Sequence, residues 1–376
     1  MTLAAQERLD DASLLETADP SGMLRQVASS AAQVREAARS AAEASLDDLL
    51  AGGRPRAIVV TGMGGSGIAG EVLAAVAGPG CPVQVTTVHD YRLPGWVGAA
   101  DLVIAVSCSG GTEETLSAAA EAVRRGCRML GVGSQGSPLA ALAEQASAPF
   151  IAVHPSGMPR SMLWALSVPL VVAAARLGVL DMPEDAYEAA AVELERVAYL
   201  CRPDSEAFVN PAKTLALDLC GTLPMVWGTS PLTGVAAARF ACQLHENGKY
   251  PAIAGVLPEA NHNQVVVFDG PFAAGSAGME PGQRGLDEAP PVPLRLVLLR
   301  DTHEHPQVAR RREESARIAA ERGIGVTELA AAGDLPLERL ASLVTLIDYA
   351  SVYLAIANGI DPAPIAAIQE LKARIA

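Results

Sequence analysis

Three hydroxyl residues, Ser107, Ser109 and Thr112, surround Gly110 and Gly111 in the stretch "VIAVSCSGGTEETL" (103–116). An apolar run of the buried type precedes them and a helical pattern follows, so they fall on a strand-to-helix turn. A helix start presents backbone N–H groups and the positive end of its dipole, which suits a phosphate. Three added hydroxyls make a compact cradle for a tetrahedral anion. That cradle fits a terminal phosphate monoester better than a bridging pyrophosphate, which relies on backbone and close approach. Helix capping explains one such hydroxyl readily and three less easily.

A second glycine-rich turn lies upstream, in "AIVVTGMGGSGIAGEVL" (57–73). Gly62, Gly64 and Gly67 fit the GxGxxG template, and Asp90 follows the next strand near the place of a ribose-binding acid. The motif by itself leaves a dinucleotide-dependent oxidoreductase open. That reading gives Ser107, Ser109 and Thr112 no task. Cys108 has Ser and Gly as neighbours, with no His or cation to activate it, so it is not expected to be a nucleophile. His303 and His305, near Asp301 and Glu304, form an HxH pair too weak to define a metal site. They are expected to be solvated loop residues, and no metal is expected.

The elements that must position these turns alternate. "RAIVVTG", "PVQVTTVHD", "DLVIAVSCSG" and "RMLGVGS" read as strands of the continuous apolar type, separated by helical stretches, which predicts a parallel doubly wound sheet. The pattern recurs later in "TLPMVWGTS", "LRLVLLRD" and "GVTELA". The expected architecture is α/β, with two doubly wound parallel-sheet domains. Residues 1–50 form a helical N-terminal segment and 51–160 the first domain. One long helical connector spans 161–205, and 206–376 form the second domain with two C-terminal helices. The Gly/Pro-rich stretch 271–293 reads as a loop.

Composition narrows the classes. A length of 376 residues suits two domains, and a net charge of −14 argues against nucleic acid as a partner. The run Arg310–Arg312 beside Glu313 and Glu314 reads as a solvated helix face. No apolar run is expected to span a membrane, and the acidic start "MTLAAQERLDDASLLE" does not read as a signal peptide. The six cysteines (81, 108, 127, 201, 220, 242) lack CxxC spacing and are expected to be buried free thiols of a cytoplasmic protein.

The strand–SxSGxT–helix loop resembles the phosphosugar-binding loop of sugar isomerase (SIS) domains, and "GMGGSG" resembles the first glycine loop of that fold. Three further segments narrow the resemblance: "ARFACQLHENGKYPA" (238–252), "LPEANHNQVVVF" (257–268) and "SGMPRSML" (156–163). They are similar to the bifunctional phosphoglucose/phosphomannose isomerase family, whose pattern has Glu-Asn, a following Lys, and Pro-Glu-x-Asn-His-Asn. Here these are Glu246, Asn247 and Lys249, then Pro258, Glu259, Asn261, His262 and Asn263. The resemblance runs from the glycine loop to the C-terminal lysine helix.

What the resemblance implies is a metal-free, cofactor-free aldose–ketose isomerase acting on glucose 6-phosphate or mannose 6-phosphate and fructose 6-phosphate. Moving a proton between C2 and C1 through a cis-enediolate needs a carboxylate over both carbons; the match assigns Glu246. It assigns ring opening to His262, enediolate stabilisation to Arg160, and a substrate contact to Lys372. Phosphate binding falls to Gly64, Gly65, Ser66, Ser107, Ser109 and Thr112. The family's site forms across a homodimer, with the histidine donated by the neighbouring subunit. The sequence departs from the pattern at Gly111 (commonly Asn), His245 (commonly Asn), Gln264 (commonly Glu) and Ile365, which stands where a polar residue helps select C2 configuration. Gly111 and Ile365 are the residues an alternative draws on, a sugar-phosphate sensor without turnover.

Overall fold

The computed structural model describes residues 2–273 and 292–375. Most of the Gly/Pro-rich stretch, residues 274–291, lies outside the described residues. Contacts divide the chain into two units. The first comprises Ala28–Glu195 with Leu335–Glu338; the second comprises Met1–Val27, Arg196–Asp334 and Arg339–Ala376.

The first unit holds strands β1 (Ala57–Thr61), β2 (Gln84–Val88), β3 (Leu102–Ser107), β4 (Arg128–Gly133) and β5 (Phe150–Ala152). They form an all-parallel sheet in the order β2-β1-β3-β4-β5. Every residue of β1 and β3 is buried, as central parallel strands covered on both faces must be. Val59 and Val103 pack with Leu93, Val97, Ala118 and Ala122, while Ala105 packs with Ala119, Met129, Leu139 and Ala143. The second unit holds β6 (Leu223–Gly228), β7 (Ile253–Val256), β8 (Leu294–Arg300) and β9 (Gly325–Ala330), parallel in the order β7-β6-β8-β9. Its core centres on Met225, Trp227, Phe268, Leu296 and Leu298, with the Trp227 and Phe268 rings stacked 5.5 Å apart.

Both sheets therefore wind the same way. After β1 the chain crosses to β2 on one side, and after β3 to β4 on the other. A crevice consequently opens beyond the carboxyl ends of β1 and β3, where open α/β sheets bind ligands. The second unit repeats this at β6 and β8. The two-sheet α/β fold expected from the alternation is what forms.

The helical stretch expected over 161–202 consists of two helices, Leu163–Arg176 and Ala186–Leu200. Gly178, at φ +64°, ends the first in the left-handed conformation that closes many helices, and Pro183 lies before the second. The helix Pro336–Ala357 is, contrary to expectation, long and apolar enough to cross a membrane by length and composition; 94% of its apolar window is buried inside the protein. Arg312 is not a solvated residue. It is buried and pairs with Glu304 and Glu328, while Arg310 and Arg311 are exposed. All six cysteines are free, but Cys242 is exposed and only Cys108 and Cys201 are fully buried.

One acid sets the neighbourhood of β1 and β3. Asp101 is buried at the start of β3 and accepts from Arg56 Nε (2.9 Å) and Nη2 (2.6 Å), just before β1, and from the Gly98 amide (2.9 Å). The Arg56 hydrogen bond, more than any other contact, holds the Asp101 carboxyl below the usual carboxylate range. In acid the unfolded chain then takes up this proton first, so its stabilisation is complete above about pH 4 and lost as pH falls through the lower folded-state value. Unfolding free energies of wild type and Asp101→Asn, from urea titrations, should differ by about 1–3 kcal/mol at pH 7 and converge as pH falls through the lowered folded-state value of Asp101.

Candidate active site

Four loops meet at the carboxyl edge of the first sheet. The glycine loop 62–67 follows β1, and the hydroxyl loop 108–112 follows β3. Ser134–Ser137 follow β4, and the turn Pro159–Ser161 comes after β5. Ser66 is buried, and its Oγ accepts from the Cys108 amide at 3.0 Å, bonding the first two loops together. A hydroxyl that accepts this way keeps its own proton to donate.

The helix Glu113–Arg124 starts at Thr112, yet the Thr112 side chain makes no capping hydrogen bond to that helix. Its Oγ1 lies instead 2.9 Å from Ser107 Oγ, on the last residue of β3. Ser109 is exposed, and its Oγ accepts from the Gly111 amide at 3.2 Å. The capping explanation for these hydroxyls thus loses its main support. Helix Ile68–Ala77 likewise begins at Gly67 without a side-chain cap. Burial alone pushes the Cys108 thiol up from its ordinary value, which disfavours the thiolate a nucleophile needs.

Arg160 belongs to the same edge. It is 3% exposed, and its turn lies against the glycine loop: a Cβ on Gly65 would come 2.9 Å from Pro159 O and 3.5 Å from Arg160 Cα. The structure therefore gathers Gly64, Gly65, Ser66, Ser107, Ser109, Thr112 and Arg160 at one place. Sequence reasoning missed the residues that brace them. Ser134 Oγ donates to Cys108 O at 2.5 Å, and Ser137 packs beneath Gly110. Gly110 has φ +68°, and a Cβ there would collide with Ser137 Oγ. The "GSQGSP" stretch after β4 was the available signal, a strand followed by hydroxyls and glycine at a helix start.

The second unit carries the other candidates. Glu246 is the last residue of the helix Pro231–Glu246 and is half-buried. The chain behind it is pinned. Asn247 is buried and donates to Ser351 Oγ at 2.9 Å. Lys249 donates to the backbone oxygens of Glu246 (2.9 Å), Asn247 (3.3 Å), Asp361 (3.2 Å) and Pro362 (2.9 Å), a cation capping a helix C-terminus. Further back on the helix, Arg239 grips Asp348 with two bonds of 2.9 and 2.6 Å, and Gln243 adds a third at 3.2 Å. His245 is exposed, with Nε2 accepting from the Ala252 amide at 3.3 Å.

His262 closes the short turn Glu259–His262 and is exposed. Its neighbours hold the turn: Asn261 donates to Ser315 Oγ (2.7 Å) and Asn263 to Glu259 Oε1 (3.0 Å). Gln264 accepts the Trp227 indole at 2.6 Å and donates to Ala254 O at 3.1 Å. A carboxylate could not make that second bond, which gives the departure from Glu a physical reason. The helix Pro231–Glu246 runs from the carboxyl edge of its sheet back to the amino edge, and β7 returns. Glu246 and His262 thus lie on either side of β7 in the chain, Glu246 at the end of the helix before it and His262 in the turn after it.

Lys372 lies exposed on the helix Ala366–Ile375, none of whose residues is buried. Ile365 precedes that helix, half-buried, with its carbonyl accepting from Ile368 and Gln369. His303 and His305 are exposed; His305 caps the helix Pro306–Glu321. Among the described residues no group of three or more His, Cys, Asp or Glu could hold a metal ion.

Two parallel sheets of this winding, with a hydroxyl loop at the first switch point, define the tandem SIS-domain class. Residues 208–375 match the bacterial phospho-glucose isomerase C-terminal SIS domain. Solved structures agree on the fold: a hypothetical protein from Thermus thermophilus superposes with TM-score 0.70 over 100% of this chain and 94% of its own, at 17% identity. A glucose-6-phosphate isomerase from Chlamydia trachomatis gives 0.65 over 93% and 77%, at 15% identity. The chain is 34% identical to the bifunctional phosphoglucose/phosphomannose isomerase of Caldicellulosiruptor bescii over 85% of its length and 89% of the relative's. It is 30% identical to the one of Aquifex aeolicus over 84% and 89%. The chain belongs to the bifunctional phosphoglucose/phosphomannose isomerase family.

Proposed function

We propose that the chain is a metal-independent aldose–ketose isomerase that interconverts glucose 6-phosphate and mannose 6-phosphate with fructose 6-phosphate through a cis-enediolate. The observation that carries this is the cradle itself: the Thr112 and Ser107 hydroxyls are turned to each other rather than spent on helix N–H groups. The buried Arg160 turn lies against the same glycine loop. The phosphate is held by Ser66, Ser107, Ser109, Thr112 and the backbone at Gly64 and Gly65. Arg160 stabilises the enediolate, Glu246 carries the proton between C2 and C1, His262 opens the ring, and Lys372 contacts the sugar.

The working form is a homodimer. The family resemblance supports this, since in that family the histidine matched by His262 is donated by the neighbouring subunit. The edge strand β7 next to His262 exposes Ile253 and Val256, and Val266 follows, an apolar surface suited to such a contact. Six free cysteines fit a reducing cytoplasm.

A coupled assay starting from fructose 6-phosphate, with EDTA present and both aldose phosphates detected separately, tests the reading. Turnover that survives EDTA is expected. Tight sugar-phosphate binding without turnover would favour the sensor, whose motivation is Gly111 and Ile365. Gly65→Ala should push the Pro159 carbonyl and displace Arg160. Because misplacing a catalytic group by about 1 Å can cost on the order of 10²-fold, kcat should fall by about 10- to 100-fold. Steady-state kinetics on this variant checks it, and an unchanged kcat would remove Arg160 from the site.

A further inference from the structure

The second unit has its own switch point, at the carboxyl ends of β6 and β8, and it is built like the first. In the first, the amide of the residue after β3, Cys108, donates to a hydroxyl of the preceding loop, Ser66 Oγ, at 3.0 Å. In the second, the amide of the residue after β8, Asp301, donates to Thr229 Oγ1 at 2.9 Å. The difference is the side chain. Asp301 is 2% exposed, and its carboxylate points back into the crevice. Oδ2 accepts from Ser230 Oγ at 2.6 Å, and Oδ1 accepts from the His303 amide at 3.2 Å and faces Arg339 Nε at 2.9 Å.

Ser230 is the N-cap of the sixteen-residue helix Pro231–Glu246, closed by a capping box with Thr233. The carboxylate thus receives a hydroxyl, a backbone N–H, a buried guanidinium and a helix dipole, which are the groups that recognise a phosphate. One donor is paired but poorly aligned. Arg339 is 7% exposed, and its Nε–H has no aligned hydrogen-bond partner despite its closeness to Oδ1. A carboxylate's acceptor sites lie in one plane, whereas a tetrahedral anion offers acceptors in more directions.

We propose that Asp301 is a built-in anion: it holds at the second switch point the position that a phosphate monoester takes at the first. The crevice of the second unit is a latent phosphate site closed by its own chain, and each chain binds one phosphate, not two. This rests on the phosphate reading of the first cradle only for that count.

The test uses inorganic phosphate and the full chain in a Ser107→Ala/Ser109→Ala background, which silences the first cradle. With Asp301 in place, phosphate should leave the melting midpoint unchanged. Adding Asp301→Ser should make the midpoint rise by about 2–4 °C at saturating phosphate, and a further Arg339→Gln should abolish the rise. A rise with Asp301 in place that Arg339→Gln abolishes would overturn the proposal, because the second crevice would then bind phosphate beside the carboxylate. A folded Asp301→Ser variant indifferent to phosphate would overturn the proposal. So would failure of both Asp301→Ser and Asp301→Asn to fold even in phosphate, since the crevice would then require a carboxylate and not an anion. Recovery of either variant only when phosphate is present supports it.

Discussion

Glu246→Gln should abolish isomerisation, lowering kcat by about 10²–10⁴-fold, the range contributed by a positioned general base. An amide has the shape of a carboxylate but cannot take the C2 proton. The substitution should leave the fold intact, because Lys249 holds this turn through the Glu246 backbone oxygen. Asn247 and Tyr250 pin the turn independently: the Asn247 amide reaches Ser351, and the Tyr250 backbone N–H reaches Leu244 O at 3.0 Å. Thermal midpoint and KM for fructose 6-phosphate should accordingly stay close to wild type. Stopped-time assays with both aldose products resolved would check this, and a loss smaller than about 10-fold would assign the base elsewhere.

The second large effect concerns stability. Arg239 and Asp348 are each nearly fully buried and joined by two short bonds, with Gln243 beside them. Asp348→Ala would leave the guanidinium buried without its carboxylate, a change that costs about 3–5 kcal/mol. The pair links the helix that ends in Glu246 to the helix Pro336–Ala357, so loosening it should also lower kcat. Replacing both partners by apolar residues of similar size removes the stranded charge and should recover most of the loss. Denaturant midpoints for Arg239→Met, Asp348→Leu and the double variant would measure the coupling directly. Strict additivity would contradict it.

Central strands were legible in the sequence because their burial is local information. β1 and β3 are unbroken apolar runs ending in glycines and hydroxyls, so both their place in the sheet and the cradle could be read. The edge strands β5 and β7 were missed. β7 is four residues with a glycine inside, Ile253–Val256, and none of them is fully buried, so it carries no continuous apolar signal. Burial of Arg312 could not be read at all, since its partners Glu304 and Glu328 lie on a loop and a strand that only the fold brings near. The bracing hydroxyls Ser134 and Ser137 had a weaker signal, the strand-to-helix stretch "GSQGSP". The chemistry of Glu246 and His262 came from flanking words, not from the period of the elements that carry them.

The most direct test of the account is hydrogen exchange during turnover in deuterated water. If Glu246 moves a proton through an enediolate, fructose 6-phosphate recovered after many turnovers should carry deuterium at C1, and the aldose phosphates at C2, with EDTA present. Isomerisation with complete retention of the original hydrogen over many turnovers would contradict transfer through a Glu246 carboxyl that exchanges its proton with water.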